Sequence, residues 1–178
     1  MTTAKLRTAG LYRADLSIPF RYQGDEVGYA AHAKTIVETG WWLTNDRLGA
    51  PGRMDMRDIP GSDTLHFAAL AVLSWFSSDW AWILNVYFLL GFPLTAATAI
   101  WSFRRMGLSP AIAAAMAAIY AYLPYHFARS VEHLFLSGYF MAPPALLLVY
   151  QTALGRSFLV PAWPERSGVD TGPAGPPH

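Results

Sequence analysis

The sequence predicts an all-α integral membrane protein with about three transmembrane helices. Hydrophobic residues make up 53% of the 178 residues, charged ones only 14%, and there are seven Trp. Mean hydropathy is +0.24. Trp80 to Phe103 then runs for 24 residues without a charge, more than the roughly 20 apolar residues needed to cross hydrocarbon. Two further apolar runs follow, about 109–126 and 134–155, on either side of a short polar island. Runs of this length move the chain from the soluble class to the membrane class.

Charge and cysteine content narrow the chemistry. The net charge is +1, and no basic cluster is longer than Arg104-Arg105, so nucleic acid is not an expected partner. The chain has no cysteine, which excludes disulfides and thiol-based metal or redox chemistry.

Residues 1–23 read as an N-terminal extended segment. Lys5, Arg7 and Arg13 are not followed by the apolar core of a signal peptide. Ser17 to Tyr22 is extended around Pro19, because the residue before a proline avoids the helical region. A polar stretch, Gly24 to Asp63, comes next. It holds seven carboxylates, against four in all of residues 64–178. A carboxylate-rich loop at the edge of spanning helices is a candidate reaction site for a lipid-linked substrate.

A helix is expected over about 25–39. Val27, Ala30, Ala31, Lys34 and Val37 give one stripe, and Asp25, Tyr29, His32 and Ile36 lie along the neighbouring face. Gly40 stops it. Asp25 reads equally as an N-cap or as a catalytic carboxylate. Trp41-Trp42 suit interfacial anchors or core better than a sugar platform. Residues 44–63 are loop, rich in Gly, Pro, Asn and Asp. There Asp55, Asp58 and Asp63 are oxygen ligands of the kind divalent cations take. The plainer alternative is a solvated turn with Asp63 capping the next helix, and it is preferred for Asp55.

Leu65 to Ser78 is apolar but too short to span, so a helix over about 63–78 is expected to lie in the headgroup plane. The first span, about 80–103, contains Asn85 and Pro93, which are tolerated where they face other helices. Ser109 caps the second span with Pro110 at its first position, and its alanines suit close helix packing. Pro124 bends or ends it. Tyr125 to His133 is the polar island. In the third span, Pro143-Pro144 kink the helix or mark its true start. Residues 156–178, rich in Pro and Gly, read as a disordered tail.

Orientation follows from basic residues near the span ends. Arg104, Arg105 and Arg156 fall on one side, which the positive-inside rule makes cytoplasmic. Residues 24–79 then form an extracytoplasmic loop on the other side, together with the Arg129–His133 island. Eight Lys or Arg in residues 1–79 oppose this, but none lies in residues 61–79, and the rule weakens for long loops. A loop of that length also implies that a membrane helix is missing upstream of this chain or that its start site is misplaced, and the tail suggests truncation at the other end.

Several motifs carry a resemblance. They are Pro-Phe-x-Tyr-x-Gly-Asp at 19–25, Glu-Thr-Gly-Trp-Trp at 38–42, Arg-Leu-Gly-Ala-Pro at 47–51, Asp-x-Pro-x-x-Asp at 58–63, Leu-Pro-Tyr-His-Phe at 123–127 and His-Leu-Phe-Leu-Ser-x-Tyr at 133–139. Over about residues 15–150 the chain resembles a group of bacterial multi-pass membrane proteins similar to glycosyltransferases of the GT-C superfamily. The resemblance implies a partial GT-C-like core in the bacterial cytoplasmic (inner) membrane. It implies a polyprenyl-phosphate sugar donor and an acceptor outside the cytoplasm, whether glycan, lipid or protein, with membrane lipid as the surrounding partner.

The resemblance also suggests roles. An acidic residue of the first outer loop sits near the acceptor in the superfamily, and Asp25 matches it, with Glu26 beside it; these are the candidate catalytic residues. His133 and Arg129 fall where a second outer loop approaches the donor phosphate. With Glu132, His126, Asp58 and Asp63 they are the candidate substrate-binding residues. Some members need a divalent cation; for Mg or Mn the candidate ligands here are Asp25 and Asp58. The chemistry is consistent. Sugar transfer passes through an oxocarbenium-like state, a carboxylate takes the acceptor proton, and positive charge steadies the leaving phosphate. Headgroup contact with a local ion pair is the alternative for Arg129, Glu132 and His133. A non-catalytic transporter or assembly partner for surface polysaccharide, or an inactive remnant, is the alternative for the whole chain.

Overall fold

The computed structural model describes residues 15–49, 51–57 and 63–156. Lys5, Arg7, Arg13, Asp58 and nearly all of the Pro/Gly-rich tail therefore lie outside the described residues. Helix α1 is Glu26–Thr39, and the strands β1 and β2 are Thr44–Asn45 and Met54–Asp55. Helices α2 (Thr64–Leu73), α3 (Trp80–Arg105), α4 (Pro110–Ala121) and α5 (Pro124–Arg129) follow. A 3₁₀ turn at Val131–His133, α6 (Leu134–Ser137), a second 3₁₀ turn at Tyr139–Met141 and α7 (Ala142–Ala153) complete the order.

Three helical stretches are long and apolar enough to cross a membrane: Trp80–Arg105, Pro110–Arg129 and Val131–Ala153. The first is uninterrupted. Asp79 caps it, its Oδ1 accepting from the amides of Ala81 (2.9 Å) and Trp82 (3.4 Å), which satisfies two of the donors that a helix start leaves open. The second starts as the sequence suggested, with Ser109 accepting from Ile112 N and Pro110 at the first position. It breaks at Leu123-Pro124, since proline lacks the amide and clashes with the preceding turn. The carbonyls freed there, Tyr120 and Ala121, accept from the Tyr139 hydroxyl at 2.9 and 3.3 Å. In the third, Pro143-Pro144 mark the start of α7 and do not kink it. The second stretch extends through His126 to Arg129, so part of the polar island is helix.

Small residues set the packing. Helix α4 turns Ala113, Ala117 and Ala121 inward, each fully buried, and packs mainly on α3. Its opposite face presents Ile112, Met116 and Ile119 outward, as a lipid-facing surface does. Helix α7 runs beside α3 with Leu147 and Gln151 inward, and Gln151 Nε2 donates to Arg105 O at 3.4 Å. Arg104, Arg105 and Arg156 therefore share one end of the bundle.

The other end carries a cap formed by α1, α2 and the segment before them. Helix α1 buries Glu26, Ala30, Ala33, Thr35 and Ile36. This stripe differs from the expected one, which included the exposed Val27 and Lys34. An acidic residue heads the buried stripe, and apolar periodicity cannot register that. Ala30, Ala33 and Ile36 pack with Leu70 of α2, Ile83, Leu84, Tyr87 and Phe88 of α3, and Val131, Leu134 and Phe135. Burying each large side chain here contributes about 1.5–3 kcal/mol. Helix α2 is shorter than expected and ends in a turn at 74–76, where Trp75 and Phe76 stand exposed.

Asn85, fully buried within the first span, does not face another helix. It binds the strap of residues 15–23. Its Nδ2 donates to Leu16 O and Ile18 O, both at 2.8 Å, and its Oδ1 accepts from Phe20 N at 3.2 Å. Phe20 meets Phe88 edge to face, and Tyr22 packs on Trp80. A side-chain amide with every hydrogen-bonding bond but one in use fixes the strap's register on α3.

Candidate functional site

The strap delivers Asp25 to the polar island. Gly24 takes φ +63°, and a Cβ there would lie 3.1 Å from Glu132 Oε1; a larger residue would be strained and crowded at this turn. Arg21 Nη1 then pairs with Glu132 Oε2 at 2.9 Å. One turn on, Asp25 Oδ2 sits 3.2 Å from His133 Nδ1, although 108 residues separate them in the chain. Asp25 occupies the N-cap position of α1, yet its side chain makes no capping bond. Asp63 likewise precedes α2 without a capping bond. The capping alternative for both carboxylates is thus not what the structure has.

Glu26 is buried, and neither of its carboxyl oxygens makes a well-formed hydrogen bond. Burial pushes its carboxyl up to about 7; the backbone amides of Gln23 and Arg21 and the Arg21 charge pull the other way, and the Glu132 charge adds to the rise. A carboxyl left this dry keeps its proton because the charged form loses its hydration. Asp25 beside it is exposed, with its side chain about two-thirds open. The two neighbouring acids therefore differ in environment.

The backbone of the island is strained. Ser130 has φ 50° and ψ −157°, and it is the one non-glycine with positive φ among the described residues. That region is populated almost solely by glycine and costs about 1–3 kcal/mol. Ser130 ends α5 and starts the turn that presents Glu132 and His133. Arg129 lies with its guanidinium 5.4 Å over the Tyr125 ring, beside the turn and outside both ion pairs.

The remaining predicted residues separate. His126 is fully buried among Phe88, Phe92 and Tyr139, and neither ring nitrogen makes a well-formed hydrogen bond. Gly91 makes room for it: a Cβ there would come within 2.8 Å of His126 Cε1. As folded, His126 does not open onto the Asp25–His133 pair. Asp63 bears electrostatically on Tyr29, His32 and His66. Burial lowers both imidazoles, Asp63 opposing it, and burial raises the Tyr29 phenol, with Asp25 and Asp63 adding to the rise. Asp58 lies outside the described residues. Among the described residues no three His, Asp or Glu side chains converge as a metal site requires.

Sequence reasoning missed Arg21, Ser130 and the His66–Tyr87 hydrogen bond. Nothing in local spacing marks Arg21 as the partner of a residue 111 positions later. His32 was visible, since it shares a helix face with Asp25 and Tyr29. No protein-family model matches the chain, and no curated protein or solved structure matches it.

Proposed function

We propose that this chain belongs to a membrane glycosyltransferase that moves a sugar from a polyprenyl-phosphate donor to an acceptor outside the cytoplasm of a bacterial cell. The observation that carries the reading is the meeting of Asp25 and His133, an exposed carboxylate and an imidazole at 3.2 Å, on the cap of a bundle able to cross a membrane. Asp25 is the base. It takes the proton of the acceptor hydroxyl as that oxygen attacks the anomeric carbon. The bond from that carbon to the donor phosphate breaks, and its electrons leave with the phosphate. Arg129, at the edge of the turn, supplies the positive charge that steadies it, with His133, held by Asp25, beside it. Glu26, buried beside Asp25 with its carboxyl pushed up to about 7, is closed off from an acceptor.

The ion pairs favour a second reading as well. Arg21–Glu132 and Asp25–His133 clamp the strap to the hairpin, which a non-catalytic transporter or assembly partner for surface polysaccharide would also need.

Asp25→Asn separates the two. In membranes carrying the chain and a labelled polyprenyl-phosphate sugar, the variant is expected to lose transfer by about 100-fold or more, with its thermal unfolding unchanged. Full transfer by a folded Asp25→Asn would remove Asp25 as the base and leave the clamp.

A further inference from the structure

A second polar site lies at the far end of α1, about 21 Å along its 14 residues from Asp25. Gly40, in the left-handed conformation with φ 75°, ends the helix and turns the chain outward. The Thr39 hydroxyl then fixes the next residue, accepting from Trp41 N at 3.3 Å and sharing its proton between Thr35 O at 2.8 Å and Trp41 O at 2.9 Å. The indole of Trp41 stacks on Trp42 with centroids 4.0 Å apart and planes 23° from parallel. Trp42 in turn lies nearly parallel to Phe67 of α2. Trp41 is thus the outermost of three stacked rings, and it is half exposed.

The β1–β2 hairpin stands against this stack. Its register pairs Thr44 with Asp55 and Asn45 with Met54. Buried Asn45 anchors it to α1 by donating to Thr35 Oγ1 at 2.9 Å. Together they form an open pocket of about 280 Å³ lined by Trp41, Leu43, Thr44, Arg53 and Arg57. That is just below the roughly 300–1,000 Å³ of sites for drug-sized ligands, so it has room for one ring. Both charged residues of the lining are arginines. Asp55 holds Arg57 through two guanidinium contacts and lies 3.9 Å from Arg53; Asp46, itself exposed, lies 3.9 Å from Arg53.

We propose that this pocket binds a single acidic sugar residue, stacking its ring on Trp41 and pairing its carboxylate with Arg53, while Asp55 keeps Arg57 beside it. A flat, pinned aromatic face takes the apolar C–H face of a sugar ring with little ordering cost, since the indole is already stacked on Trp42 and its backbone is tied by Thr39. A guanidinium fork recognises a carboxylate with two parallel hydrogen bonds. A phospholipid headgroup would use the arginines and leave the indole face idle. The inference is independent of the transfer reaction, because it is read as binding alone.

Saturation-transfer NMR on the whole chain in detergent micelles tests it, with D-glucuronate, D-glucose and inorganic phosphate as the probes. Glucuronate is expected to receive saturation on its ring protons and to half-saturate at about one-tenth of the glucose concentration or lower. Trp41→Ala should abolish the signal, and Trp41→Phe should restore much of it. Arg53→Gln should bring glucuronate down to the level of glucose, an arm that holds even where Trp41→Ala does not fold. No transfer to glucuronate, or equal signals in wild type and a folded Trp41→Ala, would overturn the proposal. So would phosphate that displaces glucuronate equally well with and without the Trp41 indole, which marks a headgroup or free-anion site.

Discussion

Asp25 and Glu26 are adjacent and of the same chemical type, and the fold gives them opposite environments. Asp25 projects to His133 and solvent, while Glu26 turns under α1 and loses water. The consequence for stability has a definite sign. The folded-state pKa of Glu26 is raised from 4.5 to about 7, so the folded chain binds the proton more tightly than the unfolded one. The stabilising contribution is full below about pH 4.5 and is lost as pH rises to about 7. Allowing for solvent screening, the loss amounts to about 2 kcal/mol. Glu26→Gln, which is neutral at every pH, is expected to flatten this dependence and to melt higher than wild type at pH 8. Thermal unfolding in detergent from pH 4.5 to 8 checks it, and parallel curves for the two proteins would argue against a buried, proton-holding Glu26. The candidate carboxylates were legible as an acidic stretch. Which of them is dry was not, because burial depends on the strap and the island, both remote in sequence.

Among the elements, the strap of residues 15–23 depends on one amide inside the first span. Asn85→Ala would leave Leu16 O, Ile18 O and Phe20 N without their partner. The expected cost is about 2–4 kcal/mol, since orphaned buried groups lose about 1–3 kcal/mol each and the strap's end can recover water. The strap would also release, so protease cleavage near Arg21 should quicken well before the spans unfold; equal cleavage rates would show that aromatic contacts with Phe88 and Trp80 suffice. Helix existence was readable from composition. The uncharged run marks α3, Ser109-Pro110 mark the start of α4, and Pro143-Pro144 mark the start of α7. The buried face of α1 was not, because Glu26 sits where an apolar residue was sought. Nor was the role of Asn85, since its partners are backbone groups of a segment with no periodicity of its own.

At the scale of the whole molecule, the basic end with Arg104, Arg105 and Arg156 and the cap with Asp25 and His133 lie at opposite ends of α3. Asn85 and Arg105 alone are 20 residues apart on that helix, about 30 Å. Single cysteines at positions 46 and 133 are therefore expected to react with a membrane-impermeant maleimide from one face, and a cysteine at 107 only from the other. Labelling of 46 and 133 from opposite faces would refute the arrangement. Number and order of the spans were legible in hydropathy. The meeting of residues 25 and 133 was foreshadowed only by counting crossings, because contact between such distant positions is decided by packing. That separation has a bearing on biosynthesis. At about 5–20 residues per second, the ribosome takes roughly 5–20 s to make the 108 residues between them. During that interval Asp25 has no counterpart, and the pair can form only once the island that carries His133 has been made. Lesions late in the chain should therefore surface as defects near its beginning.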